Sequence, residues 1–531
     1  MHADISRITF RPDRHYSAVI AQQGRVQLDA DANEQAAIQL LQTRTTAADL
    51  IGQHGGPAGA TGFALAFVGG GRELDDLSIG GGRYYVDGIL VDAARPGPGV
   101  PVAEDGHTAE DSDAPAAPAA PASPVTWTYW DQPDGYRDPE RPGDRLPAQF
   151  PYLAYLKVWE RSVTAAEDPL LREVALGSAM PDTAARLKVV WQVLPLAGAR
   201  LEVADGATKD QVRVAFGQWA AAQASSARMA ARSERPDHAD EDPCLVKPDA
   251  RYRGPENQMY RVEIHEGGTA KDATFKWSRE NGSVTFPVDE LDGTWVELAS
   301  LGSDDKLDLN VGDWVEFVDT AYTSRGEPLP LLRVEELDLP GRRVRLSGEP
   351  DPSVGRRPAL HPFLRRWDHR TGSRHAGRPG RTKPGAPKLR GGAVRIEEGG
   401  WLPLEDGVFV FFEPGKSYRS GDFWTVPART ATGSVEWPTD AARRPLLQAP
   451  AGIQVHYAPL AWVLGEGSAV DLRMTFGQLA AGIPAADEEA LAAEASAEAE
   501  ATAAERADAA PPAAGPDAQG GGQDDAGPLE N

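Results

Sequence analysis

The sequence predicts a mainly β protein with a few helices, made of several antiparallel sheets and small barrel-like units and ending in a disordered acidic tail. Three observations carry that expectation. From Phe150 onward, short runs rich in β-branched and aromatic residues alternate with polar positions, the period of a half-buried strand. The 55 glycines and 44 prolines among 531 residues punctuate those runs at short intervals. The charge is uneven: the net is -25, and residues 485–531, with twelve Asp or Glu against Arg506 alone, carry -11 of it.

The length corresponds to about three or four compact units, and the composition shifts divide it as follows. Residues 1–92 form an arm, a capped helix and a small sheet. Ala18 to Leu28 reads as extended, and Asp31 with Glu34 three residues later resembles a capping box opening a helix that runs to about Ile51. Ile38, Leu41, Ala48 and Ile51 recur at helical spacing and give that helix a face to pack. After the Gly-rich stop come GFALAFV and GRYYVDGILVDA, where Asp87-Gly88 is placed as a two-residue hairpin turn.

Residues 93–149, with APAAPAAPASP, read as an extended linker. Residues 150–350 are a central β-rich domain with a helical insert at 206–234, where Thr208 and Gln211 make a T-x-x-Q cap and Val212, Phe216 and Trp219 a core-facing stripe. Asn281-Gly282, between FKWSRE and SVTFPV, is the strongest hairpin signal, because both turn residues must take positive φ. Leu307 to Gly348, several short strands joined by turns, suits a small barrel or a sheet corner. Residues 351–484 form a C-terminal β unit carrying an Arg-rich loop at 370–392, and 485–531 the acidic tail.

The chemistry-bearing motifs are incomplete. Asp29, Asp31 and Asn33 begin like a calcium loop, yet the sixth and twelfth positions are Glu34 and Leu40 instead of Gly and Glu, so helix capping is the better account. Gly415-Lys416-Ser417 lacks the first glycine of a phosphate loop, which would fall at Val410, and a strand-like segment follows it; a turn between strands is expected. His265-Glu266 has no second histidine at zinc-protease spacing. The lone Cys244 excludes an intramolecular disulfide and a zinc ribbon. Asp351, Asp368, Glu405, Asp406 and Asp422 are acidic residues that a glycosidase pair could draw on, but nothing local singles out two of them. No catalytic residue, cofactor or metal is therefore expected.

No run reaches the roughly 18 apolar residues of a membrane span and the start carries no signal-peptide core, so cytoplasmic synthesis without membrane insertion is expected. Net acidity disfavours nucleic acid. The exception is Arg356–Arg395, where twelve Lys or Arg stand against only Asp368: a solvated loop, contact with an acidic partner surface, and contact with nucleic acid or an anionic glycan are the competing readings, and Arg374, Arg378 and Arg381 in its Gly/Pro-rich centre are the candidate contacts. In the arm, Gln23, Gly24 and Arg25 are candidate partner contacts as well, the glycine allowing close backbone approach. Asp29, Asp31, Asn33 and Glu34 complete that set.

Several blocks carry a resemblance. ISRITFRPDRHYSAVIAQQGRVQLDADANEQ, EDPLLREVALGSAMPDTAARLKVVWQV, DPCLVKPDARYRGPENQMYRVEIHEGG, ATFKWSRENGSVTFPV, HPFLRRWDHR, YRSGDFWTVPARTATGSVEWP and GIQVHYAPLA lie in order from about residue 6 to 476. Together they resemble an uncharacterised domain family encoded in phage-tail-like contractile injection clusters, whose first block usually ends LDADWNEQ; Ala32 replaces that Trp here. The likeness leaves out the linker, the basic loop and the tail. Where that family has His-His-Tyr, this chain has Val455-His456-Tyr457, so a paired-histidine metal site is not expected. The resemblance implies a non-enzymatic structural or accessory component of a contractile particle, at the baseplate or its periphery, with other particle subunits as partners and release with the particle. The alternative from another class is an envelope-targeting protein that binds or hydrolyses glycans, with Trp401, Trp424 or Trp437 stacking on sugars.

Overall fold

The computed structural model describes residues 2–70, 73–95, 126–177, 180–204, 206–234, 251–302, 307–369, 388–479, 493 and 495–502. The chain divides into two compact units, 1–476 and 477–531. In the second, residues 495–502 are helical and exposed, as Ala- and Glu-rich composition favours; the rest of the expected acidic tail lies almost wholly outside the described residues.

The first unit is mainly β. Its longest sheet is centred on Tyr152–Val163, paired in antiparallel register with Arg186–Ala197 on one side and Val455–Gly465 on the other. Alternation along the central strand sends Ala154, Leu156 and Val158 to one face, where they pack with Phe63, Tyr84, Val86 and Tyr129. Leu153 and Tyr155 go to the other face, under helix α2 (Lys209–Ala222), whose Val212 and Phe216 are buried there. The expected cap is present: Gln211 accepts from the Thr208 amide at 2.9 Å, and the Gln211 amide donates to the Thr208 hydroxyl at 3.4 Å. The helical insert ends early, because Met229–Ser233 is a strand paired with Val408–Phe412.

A four-stranded sheet joins His54–Pro57, Arg83–Val86 and Ile89–Asp92 to Thr475–Phe476, which runs parallel to the first. Asp87 (φ 47) and Gly88 (φ 78) make the two-residue hairpin the sequence predicts. A six-stranded sheet is built around Gln258–Ile264, which pairs with Thr274–Ser278 and with Phe423–Arg429. Every residue of Gln258–Ile264 and Thr274–Ser278 is buried. Beside it stands a closed six-stranded barrel: Thr285–Asp292, Trp295–Leu298, Arg343–Leu346, Leu332–Asp338, Trp314–Val318 and Phe363–Trp367. Phe286, Val296, Leu298, Val315, Val334, Val344 and Leu364 fill it.

Three expectations need correcting. The barrel is wider than 307–348, and a boundary at 350/351 would cut it, because Phe363–Trp367 closes it against both Thr285–Pro287 and Trp314–Val318. The expected linker also ends sooner than 149. Residues 96–125 lie outside the described residues, but Tyr129 and Leu146 are buried in the core and Asp144 is held by Arg137 (3.0 Å) and Arg325 (2.8 Å). Asn281 (φ 53) and Gly282 (φ 68) do form a tight turn, closed by the Ser283 amide on the Glu280 carbonyl at 2.9 Å. The strands it joins nevertheless enter different structures, one the six-stranded sheet and the other the barrel. Turn chemistry reverses the chain; strand partners are set by burial.

Candidate docking site

Residues Ser6–Leu28 form an arm that lies outside every sheet. Its root is fixed at helix α1 (Asp29–Ile51): the Ser6 amide and hydroxyl donate to the Asp29 carboxylate at 2.8 and 2.6 Å, and Arg429 donates to the Ser6 carbonyl at 2.9 Å. Partial burial pushes the Asp29 carboxyl up, but the Ser6 hydrogen bonds outweigh it and hold it below its ordinary value. At the other end the Leu28 amide donates to Asp31 at 3.1 Å. Asp31 is thus the acidic third residue of a helix that starts at Asp29, and the expected Asp31–Glu34 box is shifted by one turn. The calcium reading fails for the same reason, since the Asp29 and Asp31 oxygens serve backbone and hydroxyl donors. Asn33 is exposed and Glu34 half-buried on α1.

Between those roots the arm has little to lean on. Of residues 16–28 all but Val19 are exposed, with Ile20 at 82% and Val26 at 84%. Val19 is held by its amide, which donates to Gln35 at 2.7 Å. Gln23, Gly24 and Arg25 sit at a turn in which the Arg25 amide meets the Gln22 carbonyl at 3.2 Å; Gly24 takes φ 69 there, and no atom crowds the place a Cβ would fill. Within this chain the glycine serves the turn, not a close approach.

Helix α1 carries exposed apolar side chains as well. Ile38 is buried but Leu41 is 44% and Leu50 61% exposed, so the expected face packs only in part. The helix is seated instead by Arg44, paired with both oxygens of Glu160 at 2.9 and 2.5 Å, and by Gly88, where a Cβ would stand 2.1 Å from the Arg44 carbonyl. The start of the chain reaches further in. The His2 amide donates to Ser162 at 2.7 Å, its imidazole meets Glu263 at 2.8 Å, and Asn281 donates to the Ala3 carbonyl at 2.9 Å.

His2 thereby touches a buried ionic network between the six-stranded sheet and the barrel. Glu263 accepts from Arg261 at 2.6 Å and stands 3.2 Å from Lys276; Lys276 also donates to Glu316 at 2.6 Å. Tyr322 (2.8 Å) and the Trp367 indole (3.2 Å) complete the Glu316 shell. Burial pushes both carboxyls up, but Arg261 and Lys276 hold Glu263 well below the usual range, and Lys276 and Arg365 lower Glu316. Burial, with Arg261 and Arg365 near, holds His2 well below its ordinary value, and its Nε2 donates to Glu263. Sequence reasoning missed this network. The signal was charged residues inside strands whose neighbours are all apolar: RVEI, FKW, WVEF and LRRW.

Of the other candidates, Asp368 and Glu405 are brought together on Arg279, whereas Asp422 is buried against Arg419 at 2.7 Å, Asp351 caps Ser353, and Asp406 occupies a turn at φ 46. Gly415 lies in a turn between Val408–Phe412 and the short strand Ser417–Tyr418, so a turn between strands is present, as expected. Trp424 is buried with its indole on the Gln448 carbonyl, Trp437 donates to Leu446, and Trp401 lies under Arg232 at 3.9 Å. His456 pairs with Asp87 at 2.7 Å. Arg374, Arg378 and Arg381 lie outside the described residues. Among the described residues no cluster of His, Cys, Asp or Glu suits a metal ion, and no helix is long and apolar enough to cross a membrane.

No curated protein and no solved structure matches the chain. A family of unknown function, DUF6519, matches residues 1–98 and 210–523. The match takes in the arm, α1, the six-stranded sheet, the barrel, the basic loop and part of the tail; the block beginning EDPLLREV falls in the unmatched stretch. With well over half its length matched, the chain belongs to the DUF6519 family of unknown function.

Proposed function

We propose that this protein is a non-enzymatic structural subunit of a phage-tail-like contractile particle, at the baseplate or its periphery, and that it attaches through its N-terminal arm. The observation that carries the reading is the arm itself. A stretch tied to the body at both ends leaves Tyr16, Ile20, Val26 and Leu28 exposed, with nothing among the described residues to cover them. Exposed apolar surface of this kind marks an interaction site. Several copies in one particle make individually weak arm contacts cooperative through effective concentration.

The body supports the reading through the partners of its carboxylates. Carboxylates that a hydrolase would need are engaged in ion pairs: Asp368 and Glu405 clamp Arg279, and Glu263 and Glu316 hold Lys276. Expression of a C-terminally tagged chain at native level, followed by gradient sedimentation of lysate and medium, tests the proposal. Co-migration with sheath and tube proteins in a megadalton fraction is the expected result. A free monomer, under conditions where intact particles are recovered, overturns it.

A further inference from the structure

The backbone of the arm says how it docks. From Tyr16 to Gln22 the chain runs without helix, turn or bend and pairs with no strand. The Val19 amide donates towards α1, to Gln35. Successive amides of a straight run point to opposite sides, so those of Ala18 and Ile20 point away from the body. Among the described residues the amides of Tyr16, Ser17, Ala18, Ile20 and Ala21 have no hydrogen-bond partner. A row of backbone amides without partners among the described residues, on an extended segment rooted at both ends, is a template for strand addition. Arg11, Arg14 and Arg25 flank this run, exposed and without an ion pair among the described residues.

We propose that Tyr16–Gln22 adds as an extra β-strand to an open sheet edge of a partner protein whose edge is bordered by carboxylates, with Tyr16, Ala18 and Ile20 as the side chains that partner reads. The inference rests on the docking role above and adds its mode and the partner's chemistry. Backbone pairing supplies affinity, the alternate apolar side chains supply register, and the three arginines select an acidic border.

Hydrogen–deuterium exchange resolved to single amides, on the full chain alone and in the megadalton fraction, tests this. Strand addition predicts about 100-fold or greater slowing of the Ala18 and Ile20 amides in the particle, with Ser17 and Ala21 remaining fast. It also predicts that Ala18→Pro abolishes co-sedimentation while Ser17→Pro preserves it. A chain that sediments with the particle while Ala18 and Ile20 exchange freely overturns strand addition and leaves arm docking standing. A chain that never enters the particle overturns both. Slowing of the same amides by phosphatidylglycerol vesicles but not by the particle assigns the arm to an anionic membrane surface and overturns the proposal.

Discussion

The barrel with its adjoining sheet and the N-terminal arm treat the same problem in opposite ways. At the sheet–barrel junction every strand of the barrel is paired on both sides, and the charged residues that enter the interior meet there: Lys276 bridges Glu263 and Glu316, with Arg261, Tyr322 and Trp367 completing the set. In the arm, the amides of Tyr16, Ser17, Ala18, Ile20 and Ala21 have no partner among the described residues, and Tyr16, Ile20, Val26 and Leu28 are exposed. One region closes on itself; the other is left open. Burial at the junction confers stability on the single chain, whereas the arm contributes almost none of it, so substitutions in the two regions separate folding from assembly.

The widest separation is expected from Glu316→Leu. Removing that carboxylate leaves Lys276 and Arg365 buried without it, and loss of one member of a buried ion pair costs about 3–5 kcal/mol. Urea denaturation of the purified variant should show that fall, and a value within 1 kcal/mol or so of the parent would mean that the network is dispensable.

Acid should act on the same region next. Burial holds His265 and His369 at about 4, against an ordinary value of 6.5. Both are neutral in either state above pH 6.5; below it the unfolded chain takes up protons that the folded chain refuses, so stability falls from pH 6.5 down to about 4. Linkage puts the loss at about 3 kcal/mol for each histidine. Unfolding curves at pH 7 and pH 4.5 should differ accordingly, and a His265→Gln/His369→Gln variant should show a flatter profile; an unchanged profile would remove the histidines from the account.

The arm's root lies between the two extremes. Asp29→Ala removes the acceptor for the Ser6 amide and hydroxyl, at a cost of about 1 kcal/mol. Faster amide exchange at Ser6 with an unchanged barrel is the expected signature. Smallest of all is Ile20→Ser with Val26→Ser, which should shift the stability of the isolated chain by no more than about 0.5 kcal/mol, because neither side chain is packed.

The contrast between the regions also explains what could be read in the sequence. Local devices were legible: the Thr208–Gln211 cap, the Asp87-Gly88 hairpin and the extended run of the arm all follow from neighbours within a few residues. A barrel was legible in outline, from short strands and frequent turns, but its closing strand at Phe363–Trp367 lies far along the chain from Thr285–Pro287. Asn281-Gly282 shows the limit most clearly, since its turn is right and its hairpin is not. The ionic junction was not legible because it joins different strands: Lys276 meets Glu316 across 40 residues of sequence. In the arm, composition indicates an extended segment, but only the structure distinguishes Ile20, exposed, from Ile38, buried one helix later.

The claim at the centre of this account is that the body folds without the arm's apolar residues and that assembly depends on them. Gradient sedimentation of the Ile20→Ser/Val26→Ser chain, expressed at native level, addresses it most directly. The account predicts a stably folded protein that leaves the megadalton fraction and sediments as a monomer. Undiminished recovery of the variant with intact particles would contradict it.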